Sequence, residues 1–271
     1  MKTMRILSRV LVLALLPFLM ACDKNGDVSF FSIEQDKELG AQVAAQIASD
    51  TSFNILSAAE YPEAYAYLES MKNVILNSGS VSYKDEFAWK LHIIDDDVLN
   101  AFATPGGYIY VYTGLIKYLE KADDLAGVMG HEIAHADQRH SSKQLQKAYG
   151  VQILLSIALG EDASQLAQVA GQIAGTGAIL AFSRSAETEA DDFSVQYLSD
   201  TDYACNGAAS FFQKLLDEGQ GGSTPVFLST HPSPDNRVAD INVKADKLGC
   251  DTGTITESGF TYQDFKISLP E

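Results

Sequence analysis

Positive charge is scarce in this chain. Lys and Arg number 19 against 36 Asp and Glu over 271 residues, a net charge of -17. A phosphate-binding surface needs clustered Lys and Arg, so nucleic acid is excluded as a partner. The same deficit rules out holding an anionic membrane surface by charge. What remains is an acidic exterior, a common solubility device. Long apolar runs are missing too. Val10–Met20 (VLVLALLPFLM) is too short to span a bilayer comfortably, and Tyr149–Leu159 and Leu166–Phe182 are short or broken by glycine, which points to buried helices. Cysteine is reduced to Cys22, Cys205 and Cys250, and histidine to five residues. There is no repeat period and no low-complexity tract. With 46% hydrophobic residues, the length suits one sizeable core and one domain.

The N-terminus reads as an export signal. Lys2, Arg5 and Arg9 precede the apolar run, which has the length of a signal-peptide core. It ends in Leu19-Met20-Ala21-Cys22, which resembles a bacterial lipobox, where cleavage before the cysteine leaves a diacylated (palmitate-type) N-terminus. An ordinary secretory signal that happens to contain a cysteine is the alternative. Either way the mature protein is exported. Removing 1–21 takes away three bases and no acids, leaving 16 bases against 36 acids. Cys205 and Cys250 then form an even pair in an oxidising compartment, where a disulfide is the leading reading and two buried thiols the other. The expected organisation is a signal peptide over 1–21, a tether over 22–31 and a single domain over 32–271.

Along the domain, Ser32 and Gln35 form a capping box ahead of apolar positions at helical spacing, and a second helix starts at Pro62. Phe87–Ile94 is rich in strand formers. Val98–Thr113 reads as two strands joined at Pro105-Gly106-Gly107. Asp95-Asp96-Asp97 lacks the spacing of a calcium loop and reads as a solvated turn. Helices follow from Gly114 onward, with Asp123 or Asp124 able to cap the one that carries GHEIAH (Gly130–His135). Ser233-Pro234 suits the start of a last helix, and Phe260–Leu269 suits a final strand. The fold class is therefore α+β, mostly helical, with a small sheet.

The chemistry concentrates in Gly130–His140, GHEIAHADQRH. Residues four apart on a helix lie about 40° apart, so His131 and His135 project side by side and can meet one zinc ion at about 2.0–2.1 Å. Glu132 points to the side, where it can reach a water and act as general base. Gly127, Gly130, Ala134 and Ala136 let another element pack close. In Ser183–Asp192 (SRSAETEADD), Glu187 and Asp191 share a helix face. Glu187 can complete the ligand set, and Asp191 can fix the tautomer of a ligating histidine. Glu189 lies off that face and reads as solvated. His140 turns away from His131 and His135, and His92 sits in a strand pattern and reads as structural.

Four stretches between Asn100 and Arg237, NAFATPGGYIYVYTGL, GHEIAHADQRH, SRSAETEADD and THPSPDNR, together resemble the HtpX/CAAX-prenyl-protease family of zinc metallopeptidases, and within it the soluble periplasmic branch of BepA-like and LoiP-like lipoproteins. The resemblance implies a gluzincin-type fold and one zinc per chain. The family pattern E-x-x-A-D matches Glu187 to Asp191 and favours Glu187 over Glu189 as ligand. It also implies an edge strand beside the zinc, here Asn100, Ala101, Phe102 and Ala103, that holds substrate in extended form. The pattern T-H-P…R matches Thr230, His231, Pro232 and Arg237. Pro232 stiffens the backbone at His231, whose ring then sits near the zinc either as an oxyanion donor or as a cap that keeps the enzyme latent.

The expected activity is zinc-dependent endopeptidase cleavage, with Glu132 as base and His131, His135 and Glu187 as ligands. The resemblance implies damaged or misassembled envelope proteins as substrates, envelope assembly machinery as partner, and a lipid-anchored place on the periplasmic side, with inner or outer membrane left open. A chaperone or assembly factor with a latent site is the rival. A zinc-stabilised structural lipoprotein is a third reading.

Overall fold

The computed structural model describes residues 21–22, 28–176, 178–218, 226–232 and 236–271. Of the signal peptide expected over 1–21, residues 1–20 lie outside the described residues. Near the N-terminus, β1 (Ala21–Cys22) pairs antiparallel with β2 (Val28–Ser29), a short ladder where the sequence suggests only a tether. Residues 31–271 form one compact unit.

Helix α1 (Ile33–Ser49) starts at the capping box: Gln35 N–H donates to Ser32 Oγ and Ser32 N–H to Gln35 Oε1. Leu39, Val43 and Ile47 form its buried stripe. Helix α2 (Pro62–Leu76) carries proline in its first turn, where the missing N–H costs nothing. Strand β3 (Lys90–Ile94) runs parallel to β5 (Tyr108–Tyr112), and β4 (Ala101–Thr104) pairs antiparallel with β5, giving the order β3-β5-β4 with β4 at the edge. The first strand is shorter than its composition suggests. Trp89 adopts a φ of 44°, and the ladder begins after it.

The period of two divides the sheet's faces. Leu91, Ile93, Ala101, Ala103, Ile109 and Val111 join one hydrophobic cluster, while Phe102, Tyr108, Tyr110 and Tyr112 join the other. The first cluster holds α3 (Thr113–Tyr118), α4 (Ala122–Asp137), and parts of the later helices α8 (Arg184–Leu198), α9 (Gly207–Glu218) and α11 (Arg237–Leu248). The second holds α1, α5 (His140–Tyr149), α6 (Val151–Ala158) and α7 (Ala163–Thr176). The short α10 (Val226–Thr230) precedes α11, and α12 (Tyr262–Ile267) closes the chain. Among the described residues no helix is long and apolar enough to cross a membrane. Helices α6 and α7 are buried along one side only, through Leu154, Ile157, Val169 and Ile173.

Helix α4 is buried along its whole length. Its small residues set how closely the neighbours approach. A Cβ on Gly127 would lie 2.0 Å from the Ala208 nitrogen, and one on Gly130 would lie 2.7 Å from Ser194 Oγ. Neither expected cap is the N-cap, since α4 starts at Ala122 with Lys121 before it. Asp124 accepts from the Lys121 N–H at the start of α4, whereas Asp123 turns away to accept from Ala204 and Ile255 N–H.

Two further expectations are corrected. Phe260–Leu269 is not a strand: Thr261 and Asp264 form a capping box, and Tyr262 and Phe265 are buried three residues apart, the spacing of a helix face. Ser233-Pro234 lies outside the described residues, and the helix it was expected to begin runs over Arg237–Leu248 and is followed by α12, so it is not the last. Cys205 and Cys250 are bonded, tying the stretch between α8 and α9 to the end of α11.

Candidate metal centre

Helix α4 presents His131 and His135 one turn apart, with their Nε2 atoms 2.9 Å from each other. Helix α8, capped by Ser183, carries Glu187 in its first turn. Glu187 Oε2 lies 3.4 Å from His131 Nε2, and Oε1 lies 3.4 Å from His135 Nε2. His231, just after α10, brings its Nδ1 to 3.3 Å from His131 Nε2 and 3.2 Å from Glu187 Oε1. All four residues are fully buried, and one ligand atom from each falls within 4.8 Å of every other.

The separations of 3.2–3.4 Å are those of a tetrahedral zinc site, and the two α4 histidines stand closer, at 2.9 Å. Four donors held 2.0–2.1 Å from one ion stand about 3.3 Å apart. Two imidazole nitrogens cannot face each other at 2.9 Å with both lone pairs bare unless a cation lies between them. Without an ion, a proton on His131 can take that role. Burial alone would lower the His131 pKa, yet hydrogen bonds to Asp191 and Glu187 carry it up to about 9. Burial with His131 alongside holds His135 well below the usual range. For Glu187, burial works against ionisation but is outweighed by His231 and by hydrogen bonds from all three histidines, so its carboxyl stays far below the usual range. The donor set of two to three imidazoles and one carboxylate is what zinc takes.

Glu132 is fully buried, 3.5 Å from His231 Nε2 through Oε1. Neither of its carboxylate oxygens has a hydrogen-bond partner among the described residues, and burial raises its pKa. A buried carboxyl of raised basicity, free to accept a proton, is suited to general-base work.

Asp191 accepts from His131 Nδ1 at 2.9 Å and receives two bonds of 2.7 Å from Arg237, whose Nη2 also stands 3.1 Å from Glu187 Oε2. The Arg237 guanidinium rests 3.6 Å above the Phe212 ring. On the other side, His140 Nδ1 meets His135 Nδ1 at 2.9 Å, and its Nε2 meets Glu189 Oε2 at 3.2 Å. This corrects two expectations. His140 is not turned away from the site, and Glu189 is a partner rather than a solvated side chain. The cause is Arg139, whose φ of 60° breaks the helix and swings the next residue back.

Above the cluster, Phe182 stacks on His135 at 3.9 Å and Phe227 on His231 at 4.3 Å. Strand β4 runs at the sheet edge. The Asn100–Tyr112 hydrogen bond fixes the alternation, so the polar backbone groups of Ala101 and Ala103 point outward. Part of that edge is already taken, since Phe227 N–H donates to Leu99 O and Ser141 Oγ to Ala103 O. Asn100 is buried and accepts from Thr230 Oγ1 at 3.4 Å. A cavity of 600 Å³ opens beside it, walled by Phe53, Val98, Tyr112 and Val226. His92 stacks on Tyr110 away from the cluster, and the Asp95-Asp96 turn is held by Asn54 and Thr113.

Residues 62–245 match the model of peptidase family M48. The chain belongs to peptidase family M48. It is 30% identical over 212 residues to the mitochondrial metalloendopeptidase OMA1 of Schizosaccharomyces pombe, covering 78% of this chain and 61% of that protein. It is 29% identical over 230 residues to the beta-barrel assembly-enhancing protease of Escherichia coli, covering 81% and 46%. Identity reaches 36% over 166 residues with a putative beta-barrel assembly-enhancing protease of Vibrio cholerae, covering 56% and 34%. The chain thus spans between about a third and three fifths of these relatives' lengths. M48 peptidases use zinc, which agrees with the donor set found here.

The spacing of His131, Glu132 and His135 carries the centre in the sequence alone. His140, Glu189, Arg237, Phe182 and Phe227 complete it through tertiary contacts. For Phe182 and Phe227 the available signal is an aromatic beside Ser183 or four residues before His231, which core packing explains equally well.

Proposed function

We propose that this chain is an exported zinc endopeptidase acting on polypeptides of the bacterial envelope. The observation that carries this reading is the buried cluster of His131, His135 and Glu187 at 2.9–3.4 Å, with Glu132 beside it and its carboxylate free of hydrogen bonds among the described residues. Bound zinc supplies Lewis-acid polarisation of the scissile carbonyl and lowers the pKa of a water. Glu132 takes the proton from the attacking water and delivers it to the leaving amine. Asp191 and Arg237 keep the His131 ring oriented. The outward groups of Ala101 and the Ala103 N–H pair with an extended substrate, Asn100 anchors its backbone, and the cavity beside Asn100 receives a side chain.

In this reading, residues 1–21 are a lipoprotein signal, 22–31 a tether from a diacylated Cys22, and 32–271 the peptidase domain. The anchor places it on the periplasmic side of the envelope. The relatives named for beta-barrel assembly support damaged or misassembled envelope proteins as substrates and the assembly machinery as partner. Mass spectrometry of the mature protein tests the anchor: an unmodified Cys22, or cleavage elsewhere, removes it.

A second reading, a latent form, is favoured by one observation. His231 stands at the fourth corner of the ligand set, while Phe227 of the same segment takes the Leu99 carbonyl two residues ahead of β4. That geometry supports His231 as a cap over its use as an oxyanion donor in this conformation. Casein cleavage by the purified protein separates the two readings. Sustained cleavage abolished by a chelator supports the active peptidase, and suppression of aggregation without cleavage supports a chaperone or assembly factor.

A further inference from the structure

Each ligand histidine can bind a metal through only one ring nitrogen, and the other nitrogen decides whether the correct one is bare. For His131 the partner is Asp191. For His135 the partner is a third histidine. The Nε2 of His135 faces the cluster, so its proton sits on Nδ1. That Nδ1–H points at His140 Nδ1, 2.9 Å away. His140 must therefore accept there and carry its own proton on Nε2, which lies 3.2 Å from Glu189 Oε2. One proton arrangement satisfies every atom: Glu189 accepts from His140, His140 accepts from His135, and His135 offers a bare Nε2.

The backbone is built to deliver this contact. On a continuous helix, His140 would lie about 140° around the axis from His135, out of reach. Helix α4 ends at Asp137, Arg139 takes a left-handed φ of 60°, and α5 begins at His140. A non-glycine residue in that region carries a cost of about 1–3 kcal/mol that its surroundings must offset. Here Arg139 Nε donates to buried Asp36 of α1 at 2.6 Å and Nη2 donates to Phe31 O, while Ser142 Oγ donates to the other Asp36 oxygen. His140 is 5% exposed and does not belong to the four-residue ligand group.

We propose that His140, backed by Glu189, is a positioning residue that fixes His135 in its metal-binding tautomer, so that α8 supports one ligand histidine through Asp191 and the other through Glu189. This rests on the zinc reading of the cluster, and its test does not depend on turnover. Zinc affinity is measured on the purified protein by competition with a chromophoric chelator, alongside the visible spectrum of the cobalt-substituted protein. His140→Ala should weaken zinc binding about 10- to 100-fold and alter the cobalt bands. His140→Asn places an amide oxygen where Nδ1 stood and should recover most of the affinity, which a loss of packing volume alone would not do. Glu189→Ala should fall between, and Glu189→Gln, which still accepts, should stay near wild type. His135→Ala is the reference for a lost ligand. Zinc binding by His140→Ala equal to wild type, while His135→Ala loses the metal, overturns the positioning role and leaves the zinc site standing. Failure of the wild type to bind zinc overturns the site itself. If His140→Ala does not fold, Glu189→Ala decides, and unchanged affinity there overturns the proposal.

Discussion

The floor and the roof of the metal centre are built from different materials. The floor is α4, α8 and α11, joined by buried charge: Asp191 with Arg237, Glu187 with Arg237, and the paired histidines. The roof is Phe182 and the α10 segment with His231, held by ring stacking, by single neutral hydrogen bonds, Phe182 N–H to Thr230 O and Phe227 N–H to Leu99 O, and by one contact to a charged group, His231 Nδ1 to Glu187 Oε1 at 3.2 Å. A hydrogen bond to a charged group is worth about 1.5–3 kcal/mol net, and a neutral one about 0.5–1.5. The floor can hold its geometry while the roof is displaced. A peptidase needs that division, because its ligands must stay fixed while a polypeptide enters.

The comparison can be broken most severely at the floor. His135→Ala or Glu187→Ala should lose the metal and bring casein cleavage to background, read by zinc analysis and a cleavage assay. Retention of one zinc per chain by either variant would remove that residue from the ligand set. Arg237→Ala leaves Asp191 and Glu187 buried without their counter-charge and should cost about 3–5 kcal/mol, read as a fall in the melting temperature of the metal-free protein. Reducing the Cys205–Cys250 bond, which spans a sequence separation of 45, should cost about 4 kcal/mol or less, read by denaturant titration with and without reductant.

The roof should respond more mildly and with the opposite sign. His231→Ala should keep zinc and raise basal cleavage several-fold as the fourth corner opens. A drop of roughly 100- to 1000-fold would instead assign His231 to the oxyanion. Phe182→Ala should unstack His135 and raise basal cleavage less than His231→Ala does. A loss of zinc in either roof variant would mean that the roof holds the metal, and the distinction would fail.

The floor was legible in the sequence to the extent that it repeats every four residues along one helix. His131 with His135, and Glu187 with Asp191, are such pairs, and helical geometry alone puts each on one face. His140 and Glu189 were not legible. Their meeting depends on Arg139 leaving the helical region, and that in turn depends on Asp36, 103 residues earlier. The sheet was readable from alternation at Ala101–Thr104 and Tyr108–Tyr112, whereas the parallel pairing of β3 with β5 requires the helices that cover both faces. The tail misled because Phe260, Tyr262 and Phe265 suit a strand by type, while the Thr261–Asp264 cap and the spacing of Tyr262 and Phe265 make it a helix. The roof was opaque for a simpler reason. Aromatic residues at the end of one segment and inside another become a cover only once both segments reach the same histidines.

Glu132→Gln tests the central claim most directly, because it removes the base and leaves every ligand in place. The variant, purified as the mature protein, should contain one zinc per chain, as the wild type does, and lose nearly all turnover of disordered casein. Cleavage at the wild-type rate with zinc retained would contradict the peptidase mechanism.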